Sequence, residues 1–186
     1  MPEQTNWPLA LFVPAGVVAW WFLRQPGTHF TWEEFEATNQ QLDAPNTPDL
    51  MGRIRLIIFT RSVLDPLREL VGPLVITSGY RTAELNGKVK GAGGYCSGGE
   101  GCSQHTVGYA AEGVAQDYTN TELAAILHNL WETGTGLPIY QVIVYPDTGH
   151  LHLGYQGSWD PETGEGAYGP TEFLEERDGS YVGWAP

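Results

Sequence analysis

Basic side chains are scarce in this 186-residue chain. Nine Lys and Arg stand against 22 Asp and Glu, a formal net charge of −13 at pH 7. That balance argues against nucleic-acid binding and against adhesion to anionic membranes. Cysteine is nearly absent, and two residues cannot by themselves form a zinc ribbon or a disulfide-rich scaffold. Charged residues make up only 17% against 41% hydrophobic, which excludes a disordered chain. The length fits one domain with short extensions. Glycine and proline are plentiful, 24 and 13, and imply many turns and irregular loops. Histidine is rare at five, so the places where it clusters carry information.

The chain divides into three stretches. Residues 1–27 hold 17 consecutive uncharged positions, Trp7 to Leu23, at the lower limit for a membrane span. Glu3 precedes the run, no Lys or Arg lies before it, and no small-x-small site follows, so it makes a poor signal peptide. Pro8 and Pro14 interrupt a helix. Three readings stay open: an apolar arm packed on the domain or a neighbour, a membrane anchor or uncleaved export signal, or an ordinary core element. Residues 28–155 are regular. Thr31 and Glu34 form a capping box opening a helix to about Gln40, and Pro48 at N1 opens a second. In the second helix Leu50, Ile54, Ile57, Ile58, Leu64, Leu67 and Val71 recur at helical spacing, with a kink expected at Pro66. Strands are expected at 74–77, 110–116, 139–145 and 151–155, the last two as a hairpin, and helices at 83–89 and 119–130. Helices first and strands later imply an α+β domain. Residues 156–186 hold six Gly, three Pro, seven acids and five aromatics. They read either as a solvated tail or as an arm that docks on a partner.

The chemistry gathers in two segments. One is Ser103-Gln-His105-Thr-Val-Gly108-Tyr-Ala-Ala-Glu112; the other is His150-Leu-His152 on the last strand of the hairpin. Residues i and i+2 of a strand share a face, so both histidines can approach one site. Two imidazoles and a carboxylate suffice for a catalytic zinc, whose fourth position stays open to water.

Together with Ser78-Gly-Tyr-Arg81 and His29-Phe-Thr-Trp-Glu-Glu-Phe, these segments resemble the zinc D-Ala-D-Ala carboxypeptidases and related peptidoglycan peptidases, including VanY-type enzymes and phage endolysins. The resemblance runs from about His29 to about Tyr155. It implies a small antiparallel sheet with flanking helices, the D-Ala-D-Ala carboxypeptidase/hedgehog-like zinc peptidase fold. It also implies zinc held by His105, Glu112 and His152, with Glu112 where the family usually has Asp. Arg81 matches the arginine that holds a substrate carboxylate or stabilises an oxyanion, and Ser103 and Gln104 match positions that contact substrate or shape the loop. Many members carry an acidic base three residues before the last ligand, where this chain has Gly149. The base is then His150, or Asp147, or absent. Cys96 and Cys102 flank a glycine-rich loop whose length permits a disulfide, with two free thiols as the alternative. The implied partners are peptidoglycan peptides, with membrane or virion neighbours for residues 7–23 and 156–186. The implied setting is the cell envelope, outside the cytoplasm, or a phage virion. A non-catalytic structural protein on the same scaffold is the rival reading.

Overall fold

The computed structural model describes residues 24–89, 103–155 and 171–186. The expectations for the apolar run Trp7–Leu23 and for Cys96 and Cys102 lie outside the described residues.

Helix α1 (Trp32–Glu36) opens on the expected capping box. The Thr31 N–H donates to Glu34 Oε2 at 2.7 Å. The next helix begins later than expected: Asp49, not a residue before Pro48, is the N-cap of α2 (Leu50–Phe59), accepting from the Gly52 N–H at 2.7 Å. A π-helical turn, Thr60–Leu64, joins α2 to α3 (Asp65–Val71). Pro66 lacks an N–H and crowds the carbonyl four residues back, and the wide turn directly before it relieves that conflict without breaking the helix. The extra residue also resets the buried face. Leu56, Phe59, Val63, Leu64, Leu67 and Val71 enter the core, whereas Leu50 and Ile58, expected on that face, are exposed.

The sheet is six-stranded and mixed, in the order β1-β2-β4-β3-β5-β6. Its strands are β1 (Leu74–Ser78), β2 (Ala110–Ala115), β3 (Ile139–Val144), β4 (Leu151–Tyr155), β5 (Glu172–Arg177) and β6 (Ser180–Gly183). The first four are antiparallel, as expected. The expectation of a small, wholly antiparallel sheet is corrected at β5, which runs parallel to β3 and carries β6 as a hairpin partner. From residue 172 the C-terminal stretch therefore belongs to the domain's own sheet. Parallel pairing between distant segments leaves no hairpin signal in a sequence.

Strand alternation separates two faces. Ala111, Ala115, Val142, Val144, Leu151 and Leu153 point into the core. There they meet α6 (Asn120–Glu132) through Leu123, Ala124 and Leu127. Burying each large aliphatic or aromatic side chain contributes roughly 1.5–3 kcal/mol. The opposite face carries Glu112, His152 and Ile143 in one row across β2, β4 and β3. A register shift between Ile76 and Ser78 brings Ser78 onto this row, opposite Glu112. Without that bulge Ser78 would share the core-directed face of Leu74 and Ile76.

Two short helices frame the row: α4 (Ala83–Lys88) and α5 (Gln104–Val107). Helix α5 ends on Gly108 at φ +85°, and a Cβ there would stand 2.7 Å from the Gly52 carbonyl oxygen. Only glycine allows α5 to sit this close to α2. No helix among the described residues is long and apolar enough to cross a membrane.

Candidate functional site

The row on the open face becomes a site because three chain segments deliver donors to one point. Glu112 and His152 are direct cross-strand partners, so their side chains stand side by side. His105 enters from α5. Its Nδ1 lies 2.7 Å from the Gly79 carbonyl oxygen, which can only accept, so Nδ1 carries the proton. His105 Nε2 then presents its lone pair to the group, 3.2 Å from His152 Nδ1 and 3.4 Å from Glu112 Oε1. One ligand atom from each of the three residues lies within 4.8 Å of the others. Tetrahedral zinc with bonds of about 2.0–2.2 Å spaces its ligand atoms by about 3.3–3.6 Å. The donor set and its spacing fit zinc. The backbone oxygen on His105 Nδ1 is the kind of outer contact that fixes a ligand tautomer.

Arg81 stands at the β1 side. Its Nη2 donates to Glu112 Oε1 at 2.6 Å and its Nε to Ser78 Oγ at 2.9 Å. A carboxylate oxygen has two lone pairs, so Oε1 accepts Arg81 and still faces the histidines. Among the described residues, these bonds engage Nε and Nη2 of Arg81. The backbone under Arg81 is clamped by Asn46, which is buried. Asn46 Nδ2 donates to the Tyr80 carbonyl at 2.8 Å, and its Oδ1 accepts from the Thr82 N–H at 2.9 Å. Sequence reasoning missed this latch, because Asn46-Thr47-Pro48 reads as the start of a helix.

His150 completes the site on the far side of Glu112. Its Nε2 lies 3.6 Å from Glu112 Oε2, and its Nδ1 pairs with Thr148 Oγ1 at 2.8 Å. Its ring stacks on Tyr145, centroids 4.5 Å apart. Tyr145 was not anticipated either, although the hairpin reading already places it opposite His150. Asp147 is exposed in the turn and takes part in none of these contacts. Gly149 adopts φ +73°, and its N–H donates to the Tyr145 carbonyl at 3.0 Å, closing the turn. An acidic side chain at 149 would be strained in that conformation, so the hairpin geometry accounts for the missing acid. Ser103 is buried, and its carbonyl accepts from the N–H and Oγ1 of Thr106, which shapes α5. Gln104 packs its side-chain oxygen over Gly154, where a Cβ would overlap it.

Electrostatics keep the group in a metal-binding state. Burial would raise the Glu112 carboxyl, but its close neighbours His105, Arg81 and His152 hold it well below the usual carboxylate range. Burial pushes His152 down to about 3. Burial also lowers His150, against the opposing pull of Glu112. His152 takes a proton readily in the unfolded chain, near pH 6.5, and resists it in the fold. Its contribution to stability is complete above about pH 6.5 and is lost as pH falls toward 3. Metal-stripped protein is therefore expected to unfold at progressively lower urea between pH 7 and pH 4. A midpoint that stays level across that range would contradict the burial of a neutral imidazole at 152.

A His–Glu–His group on a strand face, flanked by an arginine and a further histidine, is the constellation of a metallopeptidase centre. A family model described as Peptidase M15 matches residues 28–147, well over half the chain, and the chain belongs to that family of zinc-dependent peptidases. No curated protein matches it.

Proposed function

We propose that the chain hydrolyses peptide bonds in peptidoglycan stem peptides or crosslinks, with zinc held by His105, Glu112 and His152. The convergence of these three ligand atoms within 4.8 Å, beside Arg81 and His150, carries the reading. Zinc, when bound, supplies Lewis acidity and brings the pKa of water toward neutrality. The chain's own residues do the rest. Arg81, held by Ser78 and Glu112, offers its guanidinium to a substrate carboxylate or to the oxygen that gains charge as the carbonyl is attacked. His150 is neutral at pH 7 because burial lowers its pKa, so it accepts a proton at Nε2 and returns it to the leaving amine. Thr148 and Tyr145 fix the plane of its ring. Ser103 and Gln104 hold the loop that delivers His105. The setting that suits this substrate is the cell envelope or a phage virion acting on it.

The test is incubation of the zinc-loaded full chain with synthetic stem peptides and crosslinked muropeptides, read by mass spectrometry. Expected products lack a terminal residue or are divided at a crosslink. Stoichiometric zinc with every peptide intact would instead favour a structural protein on a peptidase scaffold.

A further inference from the structure

The C-terminal hairpin reaches the site. Strands β5 and β6 lie beyond residues 28–147, where the family match ends. The hairpin has two faces with different tasks. Phe173 turns toward α6, where its ring meets His128 at 4.8 Å and Trp131 at 6.0 Å, and Trp184 joins the same cluster. The Trp184 N–H donates to the Phe173 carbonyl within the hairpin, and Thr171 Oγ1 donates to the Ile139 carbonyl at 2.8 Å, tying the hairpin's open end to β3. Tyr181 stands opposite Glu176, on the face that β3 shares with the metal group. Its hydroxyl lies 3.4 Å from that of Tyr145, and the Tyr145 ring stacks on His150.

We propose that Tyr181 is a substrate-positioning residue, its hydroxyl closing with Tyr145 the side of the site that lies opposite Arg81. The inference rests on the peptidase reading above. Arg81 bounds the open face at the β1 end and Tyr181 at the β6 end, with the three metal-binding residues between them. Strands stand about 4.8 Å apart and an extended peptide advances about 3.4 Å per residue, so a peptide laid across the sheet passes Tyr181 within about four residues of the metal group. Tyr181 is half exposed, which leaves ring and hydroxyl accessible. A phenol suits such a peptide: its ring covers aliphatic side chains and its hydroxyl bonds a backbone amide. The ligand class is therefore an extended peptide with small or aliphatic side chains, engaged on one side of the scissile bond through its backbone.

The test compares full-chain wild type with Tyr181→Phe, Tyr181→Ala and Phe173→Ala, with Val182→Ala on the opposite face of β6 as control. Zinc content, thermal unfolding, kcat and KM are measured on one stem peptide. Loss of a hydroxyl contact and then of the ring is expected to raise KM roughly 3-fold in Tyr181→Phe and roughly 10-fold in Tyr181→Ala. Zinc content and kcat should stay near wild type. Phe173→Ala, which loosens the hairpin from α6, should raise KM as Tyr181→Ala does. Val182→Ala should leave KM unchanged. An unchanged KM in Tyr181→Ala with an active wild type overturns the proposal and leaves the peptidase reading standing. Loss of zinc in Tyr181→Ala overturns it too, by making the residue structural. If the wild type neither cleaves nor binds stem peptides, the peptidase reading falls and this proposal with it.

Discussion

His152→Ala is expected to lose zinc almost completely, with apparent affinity falling by well over 100-fold and hydrolysis falling to background. Replacing only the outer contacts of a metal ligand costs about 10- to 100-fold, and here a ligand itself is removed. His152 is buried and faces Glu112 directly across the β2–β4 pair, so its removal takes one of the three donors out of the group. His128→Ala should keep its zinc, because His128 lies on α6 among Phe173, Trp131 and Trp184, away from the metal group. The acid response gives a second readout. Metal-stripped His152→Ala should lose less stability between pH 7 and pH 4 than the wild type does, since the imidazole that resists protonation is gone. Metal analysis by plasma spectrometry alongside urea unfolding separates these effects. Full zinc occupancy in His152→Ala would remove it from the ligand set.

The second large effect concerns proton transfer. His150→Ala is expected to retain zinc and lose about 10²- to 10⁴-fold in kcat, the usual contribution of a general acid–base. Thr148 engages Nδ1, which leaves Nε2 as the atom that exchanges the proton, 3.6 Å from Glu112 Oε2. Because burial lowers the His150 pKa, the acid limb of the rate profile should lie below its ordinary position, and it should vanish in the variant. Arg81→Lys should also lose activity while keeping zinc. An ammonium cannot bond Ser78 and Glu112 together and still offer a planar edge to substrate. Its acid limb should remain. A rate in His150→Ala within a factor of about three of wild type would exclude it as the proton carrier. Loss of zinc in that variant would mean that His150 is the ligand and His152 is not.

The sequence by itself determined a good deal. Capping boxes at Thr31–Glu34 and Thr119–Glu122 are written in four-residue windows, because the side chains and N–H groups that satisfy one another are neighbours in the chain. The alternation of His150, Leu151 and His152 assigns both histidines to one face, since the pleat alone dictates that. The Ser103–Glu112 segment holds two donors at a spacing that a short helix, a glycine turn and a strand bring together. These local patterns marked the segments, and the resemblance to zinc peptidases singled out His105, Glu112 and His152 within them.

Only the tertiary structure decided the remainder. The π turn before Pro66 and the bulge before Ser78 each insert a single residue, and a periodic pattern read from sequence has no term for that. Asn46 clamps the backbone of Arg81 across more than thirty residues. Tyr181 meets Tyr145 because β5 pairs in parallel with β3, a contact that depends on how distant segments pack and on no local preference. Local hydrogen bonds and side-chain period are properties of adjacent residues and survive in the bare sequence. Register, bulges and long-range pairing are settled by which arrangement buries the core most completely, and that is a property of the whole fold.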